Sequence, residues 1–182
     1  MPKLIERLLI VVASVAIAVG VIAVLSGGLL AGRDTPGISG ATGGPGAAVR
    51  DQGDLHLRAG QLEPVYDSDP PTSGPHVPVA VTRDGVRLTN DQLLSALEAG
   101  DVVLAYGTAR PPPALAAVAR AVSAPFSPAL AASGQAVVLA MRPGLTAVVA
   151  LAWAHLLRVS SPSDPALRTF AQFWLGRGYR RG

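Results

Sequence analysis

The stretch 89–106, TNDQLLSALEAGDVVLAY, holds a helix start, a helix stop and a buried strand in eighteen residues. Thr89 followed three positions later by Gln92 is capping-box spacing, in which each side chain satisfies a backbone N–H that the first helical turn leaves without a partner. Leu93, Leu94 and Leu97 recur at helical spacing, and Gly100 stands where a left-handed C-terminal cap is needed. A short amphipathic helix over 90–99 is therefore predicted. Val102 to Tyr106 (VVLAY) is a continuous apolar run of strand length, as expected of a strand buried on both faces.

Working toward the C-terminus, Pro111 to Pro113 open a helix that carries Leu115, Val118, Ala119 and Val122 on one face and ends before Pro125. Ala136 to Met141 is again strand-like. Arg142-Pro143-Gly144 is turn chemistry, so 136–141 and 145–153 are expected to pair as an antiparallel hairpin. Ser163-Asp164-Pro165 supplies an N-cap and a first-turn proline to a last helix with Leu167, Phe170, Ala171, Trp174 and Leu175 at helical spacing. The resulting order predicts an α/β or α+β fold, a small sheet covered by helices. Leu145 to Leu157 is apolar but only thirteen residues long, too short for a membrane span and suited to a buried core element.

Working toward the N-terminus, Leu8 to Gly32 contains no charged residue, and this stretch reads as a transmembrane helix. Its reach of roughly 37 Å exceeds the ~30 Å hydrocarbon core, and it is about twice the length of a signal-peptide apolar region. Lys3 and Arg7 on one side outweigh Arg33 on the other, which places residues 1–7 in the cytoplasm and the rest of the chain outside the membrane. Residues 33–50 (RDTPGISGATGGPGAAVR) have the composition of a flexible tether, leaving 51–182 as an extracytoplasmic globular domain. The bilayer is the expected partner of residues 8–32.

Composition removes several functions. The chain of 182 residues has no cysteine, so disulfides, thiolate metal sites and thiol nucleophiles are excluded. Its formal charge of +3 is polarised: nine acids face three arginines in 51–101, and eight arginines face Asp164 alone in 102–182. The basic tail Arg177, Arg180 and Arg181 carries one interleaved aromatic, Tyr179, which argues against nucleic acid and leaves a protein partner outside the membrane as the other expected contact.

Val65 to Pro78 (VYDSDPPTSGPHVP) stands apart, because Pro70, Pro71, Pro75 and Pro78 forbid regular helix or central strand. An irregular loop that concentrates Tyr66, Asp67, Asp69, Thr72, Ser73 and His76 is expected to dock on the domain. Ser73 lies in Thr-Ser-Gly-Pro and not in a nucleophile elbow, and reads as a turn hydroxyl. Asp67 and Asp69 read as a solvated turn and not as an acid–base pair, so no catalytic residue is assigned. The glycines at 37–46 lack the strand and helix that a phosphate loop requires.

With DQGDLHL at 51–57, VYDSDPPTSGPH at 65–76, LEAGDVVLAYG at 97–107 and LAWAHLL at 151–157, the chain resembles the bacterial family named domain of unknown function 3105. The resemblance rests most on Pro70, Pro71, Thr72, Ser73, Gly74, Pro75 and His76, with Tyr66 before them and Leu97, Glu98 and Gly100 as a second motif. It implies a membrane-anchored extracytoplasmic domain of unestablished activity. His56, His76 and Glu98 match the pattern. The family's second motif usually reads His-Ser-Leu-Glu-His-Gly, and Ser95 and Ala99 stand here where it has histidines. His155 falls where the family commonly has another residue.

Two histidines and a carboxylate are a candidate ligand set for copper or zinc, with Asp51, Asp54, Asp67, Asp69 and Glu98 as oxygen donors to His56 and His76. Such a set can bind only if the proline loop and the 90–99 helix lie against one another. The competing reading has His76 bonded to backbone inside the loop and His56 on a strand surface. The missing imidazoles at Ser95 and Ala99 favour a binding or accessory domain without a cofactor, and metal binding no tighter than micromolar; a metal-handling domain using His56 and His76 is the alternative.

Overall fold

Thr89 caps its helix as the spacing predicts: its side chain accepts from Gln92 N at 3.2 Å, and the Gln92 side chain accepts from Thr89 N at 3.1 Å. In this computed structural model, which describes residues 43–179, the helix spans Asn90–Ala99 and stops at Gly100, whose φ of 116° is left-handed. We call it α1. The other helices are α2 (Pro113–Val122), α3 (Pro128–Ala132) and α4 (Pro165–Trp174). The strands are β1 (Ala47–Ala48), β2 (Val86–Arg87), β3 (Val102–Tyr106), β4 (Val137–Met141), β5 (Val148–Ala152) and β6 (His155–Val159).

The six strands form one mixed sheet in the order β1-β6-β5-β3-β4-β2. Strand β3 lies at its centre and is buried along its whole length. Successive side chains of a strand point to opposite faces. Val103 and Ala105 accordingly pack with Leu93 and Leu97 of α1 and Ala131 of α3, whereas Val102, Leu104 and Tyr106 pack with Leu115 of α2 and Leu167 and Phe170 of α4. The mixed α/β fold with helices covering a sheet is the one expected, and it has two apolar cores, one on each face.

The expected hairpin between 136–141 and 145–153 does not form. Strand β3 lies between them, parallel to β4 (Leu104 opposite Leu139) and antiparallel to β5 (Leu104 opposite Ala150). The turn at 142–144 reverses the chain, but local turn chemistry does not decide which strand fills the adjacent position. All three strands are apolar on both faces, so pairing is settled by the core and not by the turn.

The true hairpin is β5–β6, closed by Trp153 and Ala154 with Ala152 opposite His155. Leu145 to Leu157, read as one buried element, therefore contains a strand, a two-residue turn and the start of another strand. Ala154 has a φ of 55°, a conformation that costs a non-glycine residue about 1–2 kcal/mol. Three segments meet there: Ala154 N donates to Thr72 O at 3.0 Å, and Val49 N donates to Ala154 O at 2.8 Å.

The C-terminal end of the stretch read as a tether is also corrected. Ala47 and Ala48 pair with Leu156 and His155, and Trp174 Nε1 donates to Pro45 O at 2.9 Å. Gly46 is required at this contact: at φ 91°, a Cβ would stand 2.7 Å from Leu156 O and 2.7 Å from the Phe170 ring. The folded unit thus begins before Asp51. The anchor 8–32 and most of the tether lie outside the described residues, and no helix among those described is long and apolar enough to cross a membrane.

Candidate metal centre

The proline loop is held down by backbone and hydroxyl bonds. Gly74 N donates to Gly53 O at 3.0 Å, Ser73 Oγ accepts from Gln52 N at 3.1 Å and donates to Arg50 O, and Tyr66 OH donates to Pro75 O at 2.9 Å. Thr72, Ser73 and His76 are buried, as are Pro70 and Pro71, which follow a cis Asp69–Pro70 bond. Ser73 bonds to backbone, but to Arg50 and Gln52 of another segment and not within its own turn. Burial, aided by the charges of Glu63 and Asp91, pushes the Tyr66 phenol up to about 12, so it acts here as a neutral donor.

Two more bonds fasten the loop to α1: Val77 N donates to Asp91 Oδ1 at 2.9 Å, and Val79 N to Ser95 Oγ at 3.0 Å. The condition for a shared ligand set, loop against helix, is met. His56 and His76 then pair as a parallel bridge, with Leu57 N donating to His76 O at 2.8 Å and His76 N to Leu55 O at 3.0 Å. The bridge sets the two imidazoles edge to face with ring centres 5.4 Å apart. Glu98, in the last turn of α1, reaches both. Its Oε2 is 2.9 Å from His56 Nε2 and 3.2 Å from His76 Nε2.

His76 is the informative member. It is wholly buried, and its Nδ1 donates to Gly74 O at 2.9 Å, which leaves Nε2 as the nitrogen that faces Glu98. Nε2 has no hydrogen-bond partner, since its approach to Glu98 is close but poorly aligned. The Glu98 carboxylate is hydrogen-bonded to His56 Nε2 through both oxygens, at 2.9 and 3.2 Å. One ligand atom from each of His56, His76 and Glu98 lies within 4.8 Å of the other two.

The other acids proposed as oxygen donors have different work. Asp51 accepts from Gly53 N and from Trp153 Nε1, and Asp69 pairs with Arg142, with Arg158 donating to its carbonyl. Asp54 and Asp67 are not in the cluster. His155 is elsewhere, stacked on Trp174 at 3.8 Å. Leu97 is a core residue, and Gly100 is the helix cap. Ser95 and Ala99 line a separate cleft of about 160 Å³ with Ala80, Ala131 and Asp101.

Residues 61–180 match the family described as protein of unknown function (DUF3105). The chain belongs to that family. The DUF3105 match takes in the proline loop, His76 and Glu98, whereas His56 and β1 precede it. No curated protein and no solved structure matches the chain.

Asp101 was not singled out by the sequence. It is buried, with Oδ1 accepting from Ala136 N at 2.8 Å and Oδ2 without a partner. Burial pushes its carboxyl up to about 7, against the lowering effect of the Ala136 N–H. Its only signal is an acid between a capping glycine and an apolar strand.

Proposed function

We propose that the domain binds one divalent transition metal ion, zinc or copper(II), through His56 Nε2, His76 Nε2 and the Glu98 carboxylate, and that residues 8–32 hold it on the outer face of a membrane. The observation that carries the metal reading is the buried, unpartnered Nε2 of His76 facing Glu98. Two donors bound at about 2.1 Å in tetrahedral geometry lie about 3.4 Å apart. The observed 2.9 and 3.2 Å separations are shorter than that spacing by about 0.5 and 0.2 Å, and all three donors lie within 4.8 Å of one another. With no cysteine in the chain, imidazole and carboxylate favour zinc or copper(II) over copper(I). The three donors that remain, His56, His76 and Glu98, lie together without Ser95 and Ala99.

Zinc titration of the purified, metal-stripped chain tests the reading. One equivalent is expected to bind with micromolar or tighter affinity, and Glu98→Gln and His56→Ala, both at solvent-accessible positions, are expected to lose it. Absence of saturable binding overturns the metal reading, and binding unchanged in both variants places the ion elsewhere. For the membrane part, supported by the uncharged run 8–32, protease treatment of intact cells is expected to remove the domain, and protection of the domain overturns the orientation.

A further inference from the structure

We infer that the ion held by His56, His76 and Glu98 keeps one coordination position open to solvent, and that an anion occupies it by exchange. This rests on the metal reading above. Among the described residues the cluster has three members, and a zinc ion with three protein ligands takes water or substrate as its fourth. Neighbouring polar groups hold backbone and are not members of the cluster. Both oxygens of Asp51 accept hydrogen bonds, Asp91 Oδ1 accepts from Val77 N, and Ser95 Oγ accepts from Val79 N.

The direction of the open position follows from burial. His76 is 0% exposed, Glu98 20% and His56 43%, so the cluster is closed on the His76 side, where Trp153 stands with its ring centre 6.5 Å from the imidazole, and opens on the His56 side. A divalent ion with two neutral imidazoles and one carboxylate retains a net charge of +1. That charge favours hydroxide, a carboxylate or another anionic donor over a neutral one, and lowers the pKa of bound water.

The test uses the full chain loaded with cobalt(II), whose visible bands report ligand exchange directly, and azide as the probe. Saturable change of the bands with azide, together with loss of cobalt affinity by more than about tenfold in His56→Ala, is the expected result. Stoichiometric cobalt with bands that azide leaves unchanged means a closed coordination sphere and overturns the open position while leaving the metal site standing. Failure of cobalt and zinc to bind at all overturns the metal site itself.

Discussion

His76 Nε2 lies 3.2 Å from Glu98 Oε2 without a hydrogen bond between them, although the imidazole is fully buried and its other nitrogen is bonded to Gly74 O. The pair joins the proline loop to the last turn of α1. A cation held there would add to the bonds that already tie the two segments, among them Val77 N to Asp91 and Val79 N to Ser95.

A bound ion should therefore stabilise the fold. At a free zinc concentration one hundred times Kd, ligand linkage contributes about 2.7 kcal/mol, enough to raise the melting temperature by several degrees. Thermal unfolding with and without zinc measures this. Glu98→Gln should abolish the rise, and a rise of equal size in that variant would place the ion elsewhere.

Asp101 makes stability depend on pH with the opposite sign from an ion-paired carboxylate. Its folded pKa of about 7 lies above the unfolded 3.8, so the folded state holds the proton more tightly. The Asp101 contribution to stability should be fully present below about pH 4, fall as pH rises to about 7 and level off above, on the order of 4 kcal/mol in total. Asp84, also raised by burial, contributes in the same direction. Denaturant unfolding from pH 4 to 8 checks the slope, and Asp101→Asn should flatten most of it while keeping an oxygen for Ala136 N. An unaltered slope in Asp101→Asn would assign the effect to another group.

At Ala154, the left-handed φ of 55° predicts unlike outcomes for two small changes. Glycine relieves the backbone strain and lowers unfolded-state order by a similar amount, so Ala154→Gly should fall within about 1 kcal/mol of the parent. Valine, branched at Cβ, is worse suited to that region, and Ala154→Val should cost about 1–2 kcal/mol or more. Because Ala154 N holds Thr72 O, the valine variant should also show faster amide exchange at Gly74 and His76. Equal stability of the two variants would mean the turn relaxes out of the left-handed region.

The elements that could be read from sequence are those whose signals are local. Thr89, Gln92 and Gly100 specify α1 within twelve residues, and Asp164 and Pro165 start α4 by the same means. What escaped was long-range or lacked a marker. No glycine or asparagine announces the turn at Trp153 and Ala154, and no local feature predicts that β3 separates β4 from β5. The cluster illustrates both. His56, His76 and Glu98 were named through a family resemblance, yet twenty residues separate the histidines, and they meet only through a parallel bridge that no ligand-spacing pattern encodes. Asp101 bonds to Ala136 N, thirty-five positions away.

Strand β1 is two residues long and sits at one margin of the sheet, covering His155 and Leu156 of the five-residue β6. At the opposite margin, β2 is equally short. Sheets bordered by such stubs give neighbouring molecules little backbone on which to add a strand, which is a defence against self-association. A recombinant fragment begun at Asp51 would leave β6 bare along that margin and strip Pro45 from Trp174. One begun at residue 61, where the family match starts, would lose His56 as well. Fibrils or higher oligomers from either fragment would then report a missing border and not an intrinsic habit of the protein.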